Sequence, residues 1–188
     1  MTVRCVIIGT HGVGKTSLAE RLAVELNLPY IKEIARKVNA EGFSILTNNS
    51  KPSVQAQMRI YGLQIAIEQT HFVSGYVADR SVLDNFVYAK LFKVVNENML
   101  NIWERFIREY VLVNMYSHII YIPLMDELDV GCDGLRNTDL ETQKKIDREI
   151  HKVIKDLKTY EPLWDFSIHT IASKSFEDRV NEALEFVR

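Results

Sequence analysis

Residues 9–16 read Gly-Thr-His-Gly-Val-Gly-Lys-Thr, and no other run among the 188 residues restricts the fold so sharply. The run meets G-x-x-x-x-G-K-[ST] at every fixed position. An apolar stretch, Val3 to Ile8, precedes it, as a parallel strand buried on both faces would. Leu18, Leu22, Ala23 and Leu26 follow at helical spacing. Strand, glycine turn and amphipathic helix together are the setting that a phosphate-gripping loop requires. Gly9, Gly12 and Gly14 let the backbone turn tightly and bring its N–H groups to an anion, with Val13 contributing through its backbone. The helix that opens near Lys15 adds the positive end of its dipole. Lys15 supplies a full charge to the β- and γ-phosphates, Thr16 offers a hydroxyl to Mg²⁺, and Ser17 sits beside them on the first turn. His11 is a variable position, expected at the solvent.

The remainder alternates in the same way. Short apolar runs at 29–32, 75–78, 118–123 and 167–172 read as strands. Between them lie helical patterns at 33–40, from Ser53 toward Gln69, at 83–92, 98–115, 142–160 and 175–187, with Ser175 and Asp178 in capping-box positions. The expected architecture is α/β: one domain with a doubly wound, mainly parallel five-stranded sheet and helices on both faces. A chain of this length holds one good core and not two. A polar stretch at 126–148 is expected to form a small lid. On the helix beginning near Ser53, Met58, Tyr61 and Ile65 are expected inward; on the long helix after it, Leu100, Trp103, Phe106, Ile107, Tyr110 and Val111.

In a parallel sheet, ligands sit beyond the carboxyl ends of the strands. Tyr76-Val77-Ala78-Asp79-Arg80-Ser81 is a strand ending in an acid and a base at that edge. Asp79 can hold Mg²⁺ through its water shell or take a proton from an attacking hydroxyl, and Arg80 can neutralise phosphate charge. Asp84 suits a helix start or an ion pair. Glu33 and Arg36 follow the second strand, three apart on one helix face, where an acceptor pocket forms. Gln57 and Gln64, seven apart on the next helix, could read a base edge with their amides. Arg136, in Asp133-Gly134-Leu135-Arg136, can stabilise charge from a closing lid, with Arg148 a second candidate.

The order of Gly9–Thr16, Glu33-Ile34-Ala35-Arg36, Asp79-Arg80-Ser81 and Asp133-Gly134-Leu135-Arg136 resembles the small AAA-type ATPase/kinase family related to the ribosylnicotinamide kinase domain. It is similar, more loosely, to nucleoside and nucleotide kinases. The resemblance spans nearly the whole chain. It implies a P-loop kinase fold, phosphoryl transfer from ATP with Mg²⁺, and a small-molecule acceptor such as a nucleoside or nucleotide. It strengthens Asp79 as metal organiser or base. The acidic residue soon after the second strand in deoxynucleoside kinases keeps Glu33 in competition for the base.

Charge and composition narrow the alternatives. A formal net charge of −2 provides no global field for nucleic acid or anionic membrane, which disfavours a polynucleotide 5′-end kinase or a modified-base DNA kinase. No apolar run spans a bilayer. The opening residues lack a signal-peptide pattern, and two cysteines in unrelated contexts form no framework, so a cytoplasmic location is expected. A guanine-reading switch would carry Asn-Lys-x-Asp after the fourth strand, where Pro123-Leu124-Met125-Asp126 stands instead. A partner-driven ATPase remains the alternative from another class.

Overall fold

The computed structural model describes residues 2–45, 52–125 and 140–188. Its five strands are β1 (Arg4–Ile8), β2 (Tyr30–Ile31), β3 (Tyr76–Asp79), β4 (His118–Tyr121) and β5 (Ser167–Thr170). They form one sheet in the order β2-β3-β1-β4-β5. Every pairing is parallel: Val6 faces Ala78 on one side and Ile119 on the other. The strand bearing the phosphate loop is therefore central.

Among the described residues seven α-helices cover the sheet: α1 (Lys15–Glu25), α2 (Ile34–Ala40), α3 (Val54–Thr70), α4 (Val82–Leu91), α5 (Glu97–Tyr110), α6 (Leu140–Lys158) and α7 (Phe176–Val187). Alternation along β1 explains the two layers. Cys5 and Ile7 pack with Leu18 and Leu22 of α1 and Val180 and Ala183 of α7. Val6 and Ile8 point the other way, into a larger core with Phe86 of α4, Trp103 of α5 and Ile150 of α6. Side-chain caps start the helices: Ser53 accepts from Ala56 N–H at 3.1 Å, Asn96 from Met99 N–H at 2.9 Å and Ser175 from Asp178 N–H at 3.2 Å.

Three expectations are corrected. The 98–115 helix is α-helical only to Tyr110 and closes as a π-helical turn, Val111–Met115. Phe106, expected inward, is 42% exposed, although its ring lies against Tyr61 and Tyr110. Met58 on α3 is likewise exposed, because α3 buries Gln57, Gln64 and Glu68 beside Ala56, Ile60 and Tyr61. A polar buried stripe escapes a reading by apolar periodicity. Among the described residues no helix is long and apolar enough to cross a membrane. The expected lid lies mostly outside the described residues, as does Arg136.

Candidate active site

The phosphate loop joins β1 to α1 at the sheet's carboxyl edge. Gly9 has φ 152°, and a Cβ there would stand 2.5 Å from the Ile122 carbonyl oxygen, so only glycine lets β1 pass the end of β4. Gly14 occupies the N-cap of α1 at φ 89°, a left-handed conformation that costs glycine nothing. Lys15 is buried, and its ammonium donates to the Thr10 carbonyl within the loop. His11, expected at the solvent, is buried instead: its Nδ1 lies 3.3 Å from the Tyr88 hydroxyl, and its carbonyl accepts from Gln143 of α6 at 3.2 Å. Arg179 of α7 braces the loop from behind. It donates to the Val13 carbonyl at 3.2 Å and to the Ser173 carbonyl at 2.9 Å, tying the phosphate loop to the loop after β5. Ser17 is exposed on the first turn of α1.

Thr16 and Asp79 meet at the edge. The Thr16 hydroxyl donates to Asp79 Oδ2 at 2.5 Å. Asp79 is only 1% exposed, and its Oδ1 has no hydrogen-bond partner among the described residues. A buried carboxylate oxygen without a donor costs free energy unless a cation or its water shell compensates it. One hydroxyl and one carboxylate suit a hydrated Mg²⁺, which keeps most of its waters.

The residues after β2 and β3 build the other half. Glu33 accepts from Arg80 Nε at 2.7 Å and from Arg36 Nε at 3.0 Å. Arg80 holds φ 81°, a left-handed conformation for a residue with a Cβ. Its Nη1 also lies 3.4 Å from Asp84 Oδ1, and its guanidinium lies over the Tyr88 ring. Asp84 forms the capping box of α4 with Ser81, accepting from Ser81 N–H at 3.0 Å, and accepts from Gly9 N–H at 3.4 Å. The expectation of a helix start or an ion pair for Asp84 is met on both counts. Burial pushes its pKa up against the opposing pull of Arg80 and Lys15.

Beside these groups opens a cleft lined by Glu33, Arg80, Gln57, Asn85, Tyr88 and Ile60, among others. Gln57 lies on its wall with its Nε2 donating to the Asn85 carbonyl at 2.7 Å. Gln64 is not part of the lining. Seven residues of helix are about 10 Å of rise, and that carries Gln64 past the cleft. Its amide donates to Glu68 at 2.7 Å and to the Arg80 carbonyl at 3.5 Å. Sequence reasoning missed Asn85, whose buried Nδ2 has no partner among the described residues; its place one turn after the Ser81 cap was the available signal. Arg179 and Glu68 were missed too, with no local pattern to mark them. Arg148 is exposed on α6.

A glycine loop on the central strand, a Thr–Asp pair beside it and a second cleft next door define a P-loop nucleotide-binding protein of the NTPase fold. The chain matches the AAA domain family model over residues 4–179 and belongs to that family. No curated protein matches it in sequence. Its fold is similar to that of NadR in complex with NR, with a TM-score of 0.74 and 18% identity over 99% of this chain and 52% of that one. The chain thus spans about half of the NadR chain. Deoxyadenosine kinase from M. mycoides, with products dCMP and dCDP bound, is similar with a TM-score of 0.68 and 14% identity over 98% of both chains. YorR of Bacillus subtilis, in complex with phosphorylated GDP, has a TM-score of 0.58 and 17% identity over 98% of this chain and 94% of that one.

Proposed function

We propose that this protein is a phosphotransferase that moves the terminal phosphoryl group of ATP to a hydroxyl of a nucleoside or a similar small metabolite. One observation carries the reading: the phosphate loop and the Glu33–Arg80 cleft open side by side at the same sheet edge. Their juxtaposition lets a donor phosphate and an acceptor hydroxyl meet in line. The likeness to deoxyadenosine kinase supports the same assignment.

Each residue has a role in this scheme. Lys15 and the loop N–H groups bind the β- and γ-phosphates, with Gly9 to Ser17 as the framework. Thr16 and Asp79 would hold Mg²⁺, which supplies charge neutralisation between the phosphates. Asp79, already bonded to Thr16, belongs to the donor side. Glu33, which lines the cleft, is the better placed of the two candidates to take the acceptor proton. Arg36 and Arg80 hold that carboxylate and orient it. Glu33, Asp84, Arg36 and Arg80 are two carboxylates and two guanidiniums, so together they carry no surplus positive charge. Such a balance favours an uncharged hydroxyl acceptor over one that arrives with a phosphate. Gln57 and Asn85 offer amides to the part of the acceptor held deeper in the cleft. Arg136, which lies outside the described residues, would complete the charge on the transferring group.

An acceptor screen tests the reading. The protein is incubated with ATP, Mg²⁺ and a panel of nucleosides, deoxynucleosides, monophosphates, ribosylnicotinamide and 5′-hydroxyl oligonucleotides, and products are weighed by mass spectrometry. A phosphorylated nucleoside or related metabolite is expected. ATP hydrolysis that no acceptor accelerates would overturn the kinase reading in favour of a partner-driven ATPase.

A further inference from the structure

Glu68 lies on α3 with 0% exposure, well inside the layer formed by α3, α4 and α5. A bare carboxylate in that position costs several kcal/mol, so what compensates it identifies what it is bound to. Three donors converge on it. Gln64 Nε2 reaches Oε1 at 2.7 Å, the Tyr110 hydroxyl reaches Oε2 at 2.9 Å, and the Tyr116 hydroxyl reaches both oxygens at 3.1 and 3.0 Å. Two of the three lead onward to the same short stretch of backbone. Gln64 Nε2 also faces the Arg80 carbonyl at 3.5 Å. The Tyr116 hydroxyl accepts from Val82 N–H at 3.3 Å, which forces its own proton toward Glu68.

The backbone so held is the strained one. A non-glycine residue at φ 81° persists only where its surroundings over-determine it. From the sheet, Arg80 N–H donates to the Ile7 carbonyl at 3.0 Å. From the opposite side, Gln64 and Tyr116, both held by Glu68, add two anchors to the one that the Ser81–Asp84 capping box provides. A core with phenylalanines and a leucine here would pack as well without the desolvation cost. We propose that Glu68 is a positioning residue, which fixes the Arg80–Val82 turn through Gln64 and Tyr116 and so aims the Arg80 guanidinium at Glu33 and the acceptor cleft.

The ionisation of Glu68 decides how many anchors it can accept. As a carboxylate it takes all three donors; once protonated it must itself donate, and one of the tyrosine bonds has to reverse or give way. Burial raises its pKa to about 7, against the pull of Gln64, Tyr110 and Tyr116. Tyr61, Tyr76, Tyr110 and Tyr116, which surround it, are pushed up by burial and stay protonated through neutrality. Asp84 acts on Glu68 from α4 and also faces Arg80 directly, as do Glu33 and Tyr88, so a variant of Glu68 itself is needed to separate their effects. The turn tightens as pH rises through neutrality.

The proposal rests on the phosphotransfer reading only for its effect on turnover; the aim of Arg80 can be followed without it. In ¹⁵N-labelled full-length protein, the Arg80 Nε–H resonance, assigned by its loss in Arg80→Lys, is titrated between pH 5.5 and 8.5. One step centred near pH 7 is expected, absent in Glu68→Gln; in Tyr116→Phe, which cuts the Val82 branch and removes one donor to Glu68, it is smaller and moved to higher pH. In turnover, Glu68→Gln is expected to raise the acceptor KM ~10-fold and flatten the pH limb near 7, with the ATP KM within about twofold. No step in the wild-type spectrum, or a step that survives Glu68→Gln, overturns the proposal. The wild-type titration decides by itself if Glu68→Gln does not fold, and it decides equally if no phosphoryl acceptor exists.

Discussion

The two halves of the ligand edge are built from opposite materials. On the nucleotide side, the working groups are backbone N–H groups, a helix terminus and one lysine, and their geometry comes from glycines that no other residue replaces. On the acceptor side, the working groups are side chains. Glu33, Arg80, Asp84, Gln57 and Asn85 are all buried, and all but the Asn85 Nδ2, which has no partner among the described residues, join one network. The first half tolerates almost any acceptor chemistry beside it, because it reads only phosphate. In the proposed scheme the second half would carry the selectivity, because buried polar groups reject a ligand that leaves them unpaired.

The contrast is tested most directly at Lys15. Lys15→Ala is expected to lower turnover ~10³-fold, the scale of removing a preorganised charge from a phosphoryl-transfer site. The measurement is steady-state turnover beside a thermal melt, since a loss explained by unfolding would not count. Unchanged turnover would remove the nucleotide half from the mechanism. Next come Glu33→Gln and Asp79→Asn, each expected to cost ~100-fold. They should fail differently. Glu33→Gln should abolish acceptor phosphorylation while ATP binding holds within about twofold. Asp79→Asn should raise the Mg²⁺ concentration needed for half-maximal rate. If both variants share one phenotype, the division between donor and acceptor carboxylates is wrong.

Legibility in the sequence follows the same division. The phosphate loop could be read because glycine, lysine and threonine sit there at fixed spacing for reasons of local backbone geometry. Strand alternation, from Val3–Ile8 through Ser167–Thr170, also yielded to local pattern, and five parallel strands resulted. The acceptor half is assembled from segments distant in the chain, and Glu33 and Arg80 meet across 47 residues. Spacing on α3 put Gln57 and Gln64 on one face, yet rise along the helix sent one to the cleft and the other to Glu68. Nothing local distinguishes a buried glutamate from a surface one, so Glu68 had no signal. The π-helical turn after Tyr110 carries no local mark either: Val111–Met115 contains neither glycine nor proline.

Gly9 offers a smaller effect that probes the backbone half alone. Gly9→Ala brings its Cβ against the Ile122 carbonyl oxygen, a backbone atom with no rotamer to escape through. A loss of about 2 kcal/mol is expected by chemical denaturation. Full stability in that variant would show that the loop tolerates a side chain where β1 passes β4.

The smallest effect should come from Glu182, which extends the backbone half to the loop after β5. Its Oε1 and Oε2 accept from the Ala172 and Ser173 N–H groups at 2.9 Å each, and His169 Nε2 lies 2.7 Å from Oε1. It thereby pins the loop after β5, while Arg179 holds the same loop to Val13. Burial alone would raise the pKa of Glu182; the bonds from Ser173, Ala172 and His169 outweigh burial and lower it to about 2. A folded pKa below the unfolded value of ~4.3 contributes stability above that value. The contribution fades as pH falls from about 4 through about 2. Glu182→Gln is therefore expected to lower stability at pH 6 by about 1 kcal/mol, with the difference from wild type shrinking below pH 3. The ATP KM should rise a few-fold, and the acceptor KM should not move. An acceptor KM that follows the ATP KM would mean that the two halves are mechanically one, and the contrast between them would have to be given up.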